Sequence, residues 1–258
     1  MKSDVVRQWT NVVAFLVMLV VNILSNALPF NGLTAPMISD RFDIYFVPAG
    51  YAFSIWGLIY LGLTAFVIYQ ALPSQRDNPR LRRIGYWFVV SCAANIAWLF
   101  LWHYAQFPLS VLVMATLLVS LIVIYQRLGT GRTSTPTPEH WFVRLPFSLY
   151  MGWISVATIA NATELLDFLN WNGWGIAPQT WAVIMLAIGV GLALVMSLTR
   201  GDAAYLLVLA WAFAAIGVKQ ADTPLVATSA WLAAGAAGVL ALVGALLARR
   251  RLASEPAA

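Results

Sequence analysis

PLSVLVMATLLVSLIVIYQ, residues 108–126, runs for nineteen residues without a charge and ends at Arg127. As a helix rising 1.5 Å per residue it is about 28 Å long, close to the roughly 30 Å hydrocarbon core of a bilayer. Working outward, comparable apolar stretches stand at 10–28, 49–71, 84–103, 142–162, 180–198, 203–220 and 225–248. Breakers divide them: Pro29 and Pro36, Pro73 and Pro79, Pro108, Pro136 and Pro138, Pro178, Gly201 and Pro224. The short connections at 104–107, 199–202 and 221–224 predict antiparallel hairpins. Only 10% of the 258 residues are charged and 61% are hydrophobic, whereas a soluble domain carries roughly 25% charged residues to face water. The sequence therefore reads as all-α, a polytopic membrane helical bundle of about eight transmembrane helices with the lipid bilayer as its partner.

The net charge of +5 does not point to nucleic acid, because membrane topology accounts for it. Counted over alternate loops, one set holds thirteen Lys and Arg and the other only Arg41 and Lys219. By the positive-inside rule, both termini are expected in the cytoplasm, and the expected location is the bacterial inner (plasma) membrane. The first apolar stretch reads as a retained helix, with a cleaved signal peptide ending near Ser25-Asn26-Ala27 as the alternative. One cysteine, Cys92, excludes an internal disulfide and a cysteine-based metal site, and in its apolar run it reads as a small buried hydrophobe. No metal site is expected, since His103 and His140 stand alone at helix ends. The spans look nearly free of ionisable residues. Asp40, Asp43, Glu164 and Asp167 fall in or beside outer loops and read as solvated carboxylates, with an acidic outer mouth as the alternative. Lys219 reads as a side chain snorkelling to the outer interface.

Uncharged polar and aromatic groups are what the spans do contain. Trp9, Trp87, Trp141, Trp171, Trp174, Trp181 and Trp231 lie near span ends, where the interfacial belt explains them. Trp56, Trp98, Trp153 and Trp211 lie within spans, and an indole N–H in hydrocarbon needs a partner. Helical spacing aligns several of these groups. Trp56 and Tyr60 share one face, Asn95, Trp98 and Trp102 a second, and Tyr150, Trp153, Ala157 and Asn161 a third. Converging, the three stripes would make a cavity with flat apolar walls and a few hydrogen-bonding groups, suited to a planar, largely apolar ligand. The alternative is that they only hold the helices to one another.

At these residues the sequence resembles the TspO/MBR family, the translocator or tryptophan-rich sensory proteins. The fifth span, Tyr150-x-x-Trp153-x-Ser155-x-Ala157-Thr158-x-x-Asn161, is similar to the family's PYxxWxSxATxxN. Asn95-x-x-Trp98 is similar to its NxxW, and Trp56-x-x-x-Tyr60 to its WxxLY, with Pro48 at the second proline of WxPP. The departures are Tyr45 for the loop Trp, Val47 for the first proline and Leu149 for the proline before Tyr150. The resemblance covers about residues 10–170 and implies a five-helix bundle binding porphyrins, other tetrapyrroles or sterols. It implies a ligand site at Trp56, Tyr60, Asn95, Trp98, Tyr150, Trp153 and Asn161, with the rings stacking on the ligand and the amides anchoring it or bracing helices. No cofactor is required on this reading; a porphyrin or haem-type molecule would be a ligand. Leu121-x-x-x-Tyr125-x-Arg127 fits a loose cholesterol motif but lies on a different helix.

The chain divides accordingly into a TspO-like bundle, 1–170, and a three-helix extension, 171–258, with a basic tail. The leading function is a membrane receptor or sensory protein for a tetrapyrrole-like or other flat hydrophobic ligand. The alternatives are transport of a neutral or amphipathic solute and light-dependent porphyrin degradation; whether the chain is an enzyme stays open, though no acid–base pair supports hydrolysis. Ala234, Gly235, Gly238 and Gly244 would let the last helix approach a neighbour closely, in the same chain or in a second copy of a homo-oligomer.

Overall fold

In the computed structural model, residues 2–28, 30–42 and 44–254 are described. The breaker Pro29 and the loop carboxylate Asp43 lie outside them. All eight apolar stretches form helices: α1 (Lys2–Ala27), α2 (Ile55–Ala71), α3 (Trp87–His103), α4 (Phe107–Arg127), α5 (Leu145–Phe168), α6 (Pro178–Thr199), α7 (Ala203–Lys219) and α8 (Pro224–Ser254). Six, with their flanking turns, are long and apolar enough to cross a membrane by length and composition. The other two, α3 and α7, are apolar helices of 17 residues, about 25 Å each and at the short end of a spanning helix. The exposed flanks are apolar, with Leu61 68% and Leu242 70% exposed, as lipid-facing surfaces must be.

Helix α5 is the axis. In its most apolar stretch 67% of the residues are buried, against 28–39% in the other five long helices. Helices α2, α4 and α7 pack on it, α1 packs on α2 and α3, and α8 lies along α6 and α7. The extension thus joins the bundle chiefly through α7 against α5, where Gly152 lets Tyr205 and Val208 approach closely.

The loops that carry most of the Lys and Arg meet at one end of the molecule. Arg7 Nη1 donates to Leu81 O at 3.1 Å, Arg127 Nη1 to Arg83 O at 3.0 Å and Arg200 Nη1 to Thr130 O at 3.2 Å. Arg82 forks onto Asp4 with N–O distances of 2.8 and 2.9 Å, a bond that raises the guanidinium's already high pKa. Buried Arg144 donates to Leu128 O at 2.9 Å and to Thr133 Oγ1 at 2.6 Å. Asp202 caps α7 and accepts from Ser148 and, at 2.9 Å, from Tyr125 Oη. Gly131, at φ +73°, passes so close to Arg200 that a Cβ would fall 2.0 Å from its carbonyl oxygen. This end is a polar clamp between bundle and extension.

Three expectations need correction. First, α1 starts at Lys2, ahead of the apolar stretch that begins near residue 10, so Asp4 and Arg7 are helical and buried. Second, α5 runs on to Phe168, so Glu164 is no loop carboxylate; it sits inside the helix and is 3% exposed. Third, within the chain only one of the three α8 glycines is at a close approach: a Cβ at Gly235 or Gly238 would meet nothing within 4 Å, whereas one at Gly244 would press on Ser197 and Gly201. At the other end of α8, Trp231 lies against Gly217 of α7. Cys92 is buried, as its setting predicts. Leu121 and Tyr125 of the cholesterol pattern are buried in protein, where no membrane sterol reaches them.

Candidate ligand cavity

The cavity forms at the end of the bundle opposite the clamp. Its floor begins where the chain leaves Pro48, makes a 3-10 turn over Gly50–Ser54 and enters α2. Trp56, in the first turn of α2, stacks on Tyr60 one turn later, with centroids 5.3 Å apart and planes 18° apart. From α5, Trp153 meets Trp56 edge to face at 6.5 Å and Phe53 at 5.6 Å. From α3, Trp98 stacks on Trp102 at 5.5 Å. The short helix Ala35–Ser39 and Phe42 close the end, packed on Trp98, Trp102 and Phe107.

Two chambers adjoin here. One, of about 40 Å³, is lined by Trp56, Trp98, Trp102, Trp153, Met114, Asn161 and Glu164 among others. The second, of about 100 Å³, is lined by Asn22, Ser25, Asn26, Tyr60 and Leu99, and shares Ala35, Phe53, Trp56 and Trp98 with the first. Five of the seven expected site residues therefore reach a chamber: Trp56, Tyr60, Trp98, Trp153 and Asn161. The other two, Asn95 and Tyr150, line neither. They stand behind the wall, where Asn95 Nδ2 donates to Tyr150 Oη at 3.0 Å and Asn22 Nδ2 donates to Asn95 Oδ1 at 2.8 Å. Tyr150 supports the Trp56 ring edge-on at 5.8 Å.

Asn161 is a brace as well as a wall. Its Oδ1 accepts from Trp98 Nε1 at 3.1 Å and its Nδ2 donates to Ser110 Oγ at 3.1 Å, so α3, α4 and α5 are tied at one level. Trp211, the fourth indole within a span, is not in the cavity. Its Nε1 donates to Ala52 O at 3.2 Å. The backbone N–H of Ala49 donates to Ala215 O at 3.1 Å and Gln179 Nε2 to Tyr45 Oη at 2.9 Å. The extension thus holds the 45–54 segment that carries Pro48 and Phe53 into the cavity wall. Lys219, rather than reaching free to an interface, pairs with Asp40 at this end.

Glu164 was missed as a wall residue. It stands three residues beyond Asn161 and so continues the 150, 153, 157, 161 stripe by one more helical step; only the expected end of the fifth span hid it. Its Oε1 accepts from Ser39 Oγ at 2.6 Å, which pins the closing helix Ala35–Ser39 to α5. Among the described residues no group of three or more His, Cys, Asp or Glu is placed to hold a metal ion.

Residues 8–243 match the family model described as TSPO-like protein. Comparison with curated proteins and with solved structures returns no match. The matched range runs from α1 into α8 and takes in the extension together with the aromatic bundle. The chain belongs to the TSPO-like protein family and is an integral, multi-pass, all-α membrane protein.

Proposed function

We propose that the protein binds a flat, largely apolar molecule between α2, α3 and α5, as a membrane receptor or sensor of the tryptophan-rich type. The observation that carries the reading is that Trp56, Trp98 and Trp153, from three helices, line one interior chamber instead of pointing at lipid. Ring faces there offer stacking to a planar ligand, and the amide of Asn161 fixes the wall at the same level. Ligand pockets for drug-sized molecules are commonly about 300–1,000 Å³, and the paired chambers are smaller. A small planar molecule fits them with side-chain adjustment. A tetrapyrrole needs the Ala35–Ser39 helix and Phe53 to move outward. On this reading residues 1–170 hold the ligand, 171–258 support the wall, and the basic clamp lies on the cytoplasmic side.

The test is tryptophan fluorescence of the full chain in detergent, titrated with protoporphyrin, alongside calorimetry with the small neutral ring 3-propylindole. Saturable binding of at least one, weakened about tenfold by Trp153→Ala, is the expected result. No saturable binding of either overturns the reading.

A further inference from the structure

We infer that the cavity selects ligands carrying a protonated amine, with Glu164 as the group that takes it. The inference rests on the ligand-binding reading above and names the class of molecule bound. Glu164 lines the same chamber as Trp56, Trp98 and Trp153 and is 3% exposed. A carboxyl group has two oxygens, and its ionised form, which an ammonium group at hydrogen-bond distance favours, has about four acceptor positions. Among the described residues Glu164 accepts one hydrogen bond, from Ser39. Of the cations at this end, Lys219 is paired with Asp40 and Arg41 is exposed, and no Arg or Lys lines the chamber. Oδ1 of Asn161 is already taken by Trp98 and Ser110, and the Ser39 hydroxyl is engaged with Glu164 itself. A cationic donor entering the chamber therefore finds its charged partner at Glu164.

The surrounding rings choose the donor's charge. Indole faces attract cations through the ring quadrupole, more strongly where water is excluded, and a carboxylate in a dry site favours a partner of opposite charge. An ammonium group meets both, a neutral ring only stacks, and a carboxylate-bearing ligand meets a like charge. The chamber thus presents a carboxyl group with spare acceptor capacity among ring faces, so the ligand carries its amine on a flat body.

The experiment uses three probes of one shape: tryptamine, 3-propylindole and indole-3-propionate, which differ in a terminal ammonium, methyl or carboxylate. Each is titrated by calorimetry into the full chain in detergent, over a detergent blank. Tryptamine is expected to bind about tenfold or more tightly than 3-propylindole, with indole-3-propionate weakest. Glu164→Gln, which keeps the acceptor for Ser39, is expected to erase the tryptamine margin over 3-propylindole. Asp222→Asn, an exposed loop change, is expected to leave the margin intact and so exclude general attraction of cations. Equal binding of the three probes by the unaltered protein overturns the inference even if Glu164→Gln does not fold. So does a margin that survives Glu164→Gln. In both cases bound 3-propylindole keeps the ligand-binding reading standing; failure of all three probes overturns the inference, and the ligand-binding reading falls with it when protoporphyrin also fails to bind.

Discussion

The two ends of the bundle hold their ionisable groups in opposite ways. At the clamp, Asp4 is held by Arg82, Arg144 holds Leu128 and both the carbonyl and hydroxyl of Thr133, and Asp202 is held by Tyr125, Ser148 and its own helix. At the cavity, Glu164 has Ser39 and a ring of indoles. A buried charge with several partners is a structural joint, because removing either side strands the other. On the proposed reading, a buried carboxyl with one partner beside open space is left able to take a ligand.

The difference can be broken from the clamp side first. Asp202→Ala removes the cap of α7 and the acceptor for Tyr125 and Ser148; unfolding followed by circular dichroism in detergent should show a loss of about 3 kcal/mol. Gly131→Ala drives a Cβ into the backbone of Arg200 at a positive φ, and the same assay should show a loss of about 2 kcal/mol. On the cavity side the effects are smaller. Trp98→Phe keeps the ring but removes the N–H donated to Asn161, which retains Ser110, so about 1 kcal/mol is expected. Glu164→Gln sharpens the comparison: it keeps the acceptor for Ser39, so stability should stay within about 0.5 kcal/mol of the parent. Gly235→Ala, in open space, should sit within about 0.5 kcal/mol of the parent, while Gly244→Ala, against Ser197 and Gly201, should not.

Much of this was legible in the sequence. Uninterrupted apolar length predicts all eight helices, and helical spacing puts Trp56 with Tyr60, Trp98 with Asn95 and Trp153 with Asn161 on shared faces, because both signals are local and periodic. Whether those faces converge, spacing leaves open. Less legible was which members of a stripe form wall and which form brace. Asn95 and Tyr150 share faces with wall residues, yet their polar atoms found each other across helices, a matter of helix rotation and offset that spacing does not fix. Glu164 was lost to a helix end: the polar run Asn161-Ala162-Thr163-Glu164 reads as an exit from the membrane, but tertiary burial carries α5 on to Phe168. The support given by the extension was hidden too, because Ala49, Ala52 and Ala215 join through backbone groups that leave no side-chain signature.

The central claim is that the rings of α2, α3 and α5 enclose the ligand. Photolabelling tests it most directly, using a flat indole that carries a diazirine, with the modified residues mapped by mass spectrometry on the full chain. The account predicts saturable labelling of Phe53, Met114, Trp153 or Val156, competed by unlabelled tryptamine. Labelling confined to the lipid-facing side of α2, at Leu58, Leu61 and Ile68, and indifferent to competitor, would contradict it.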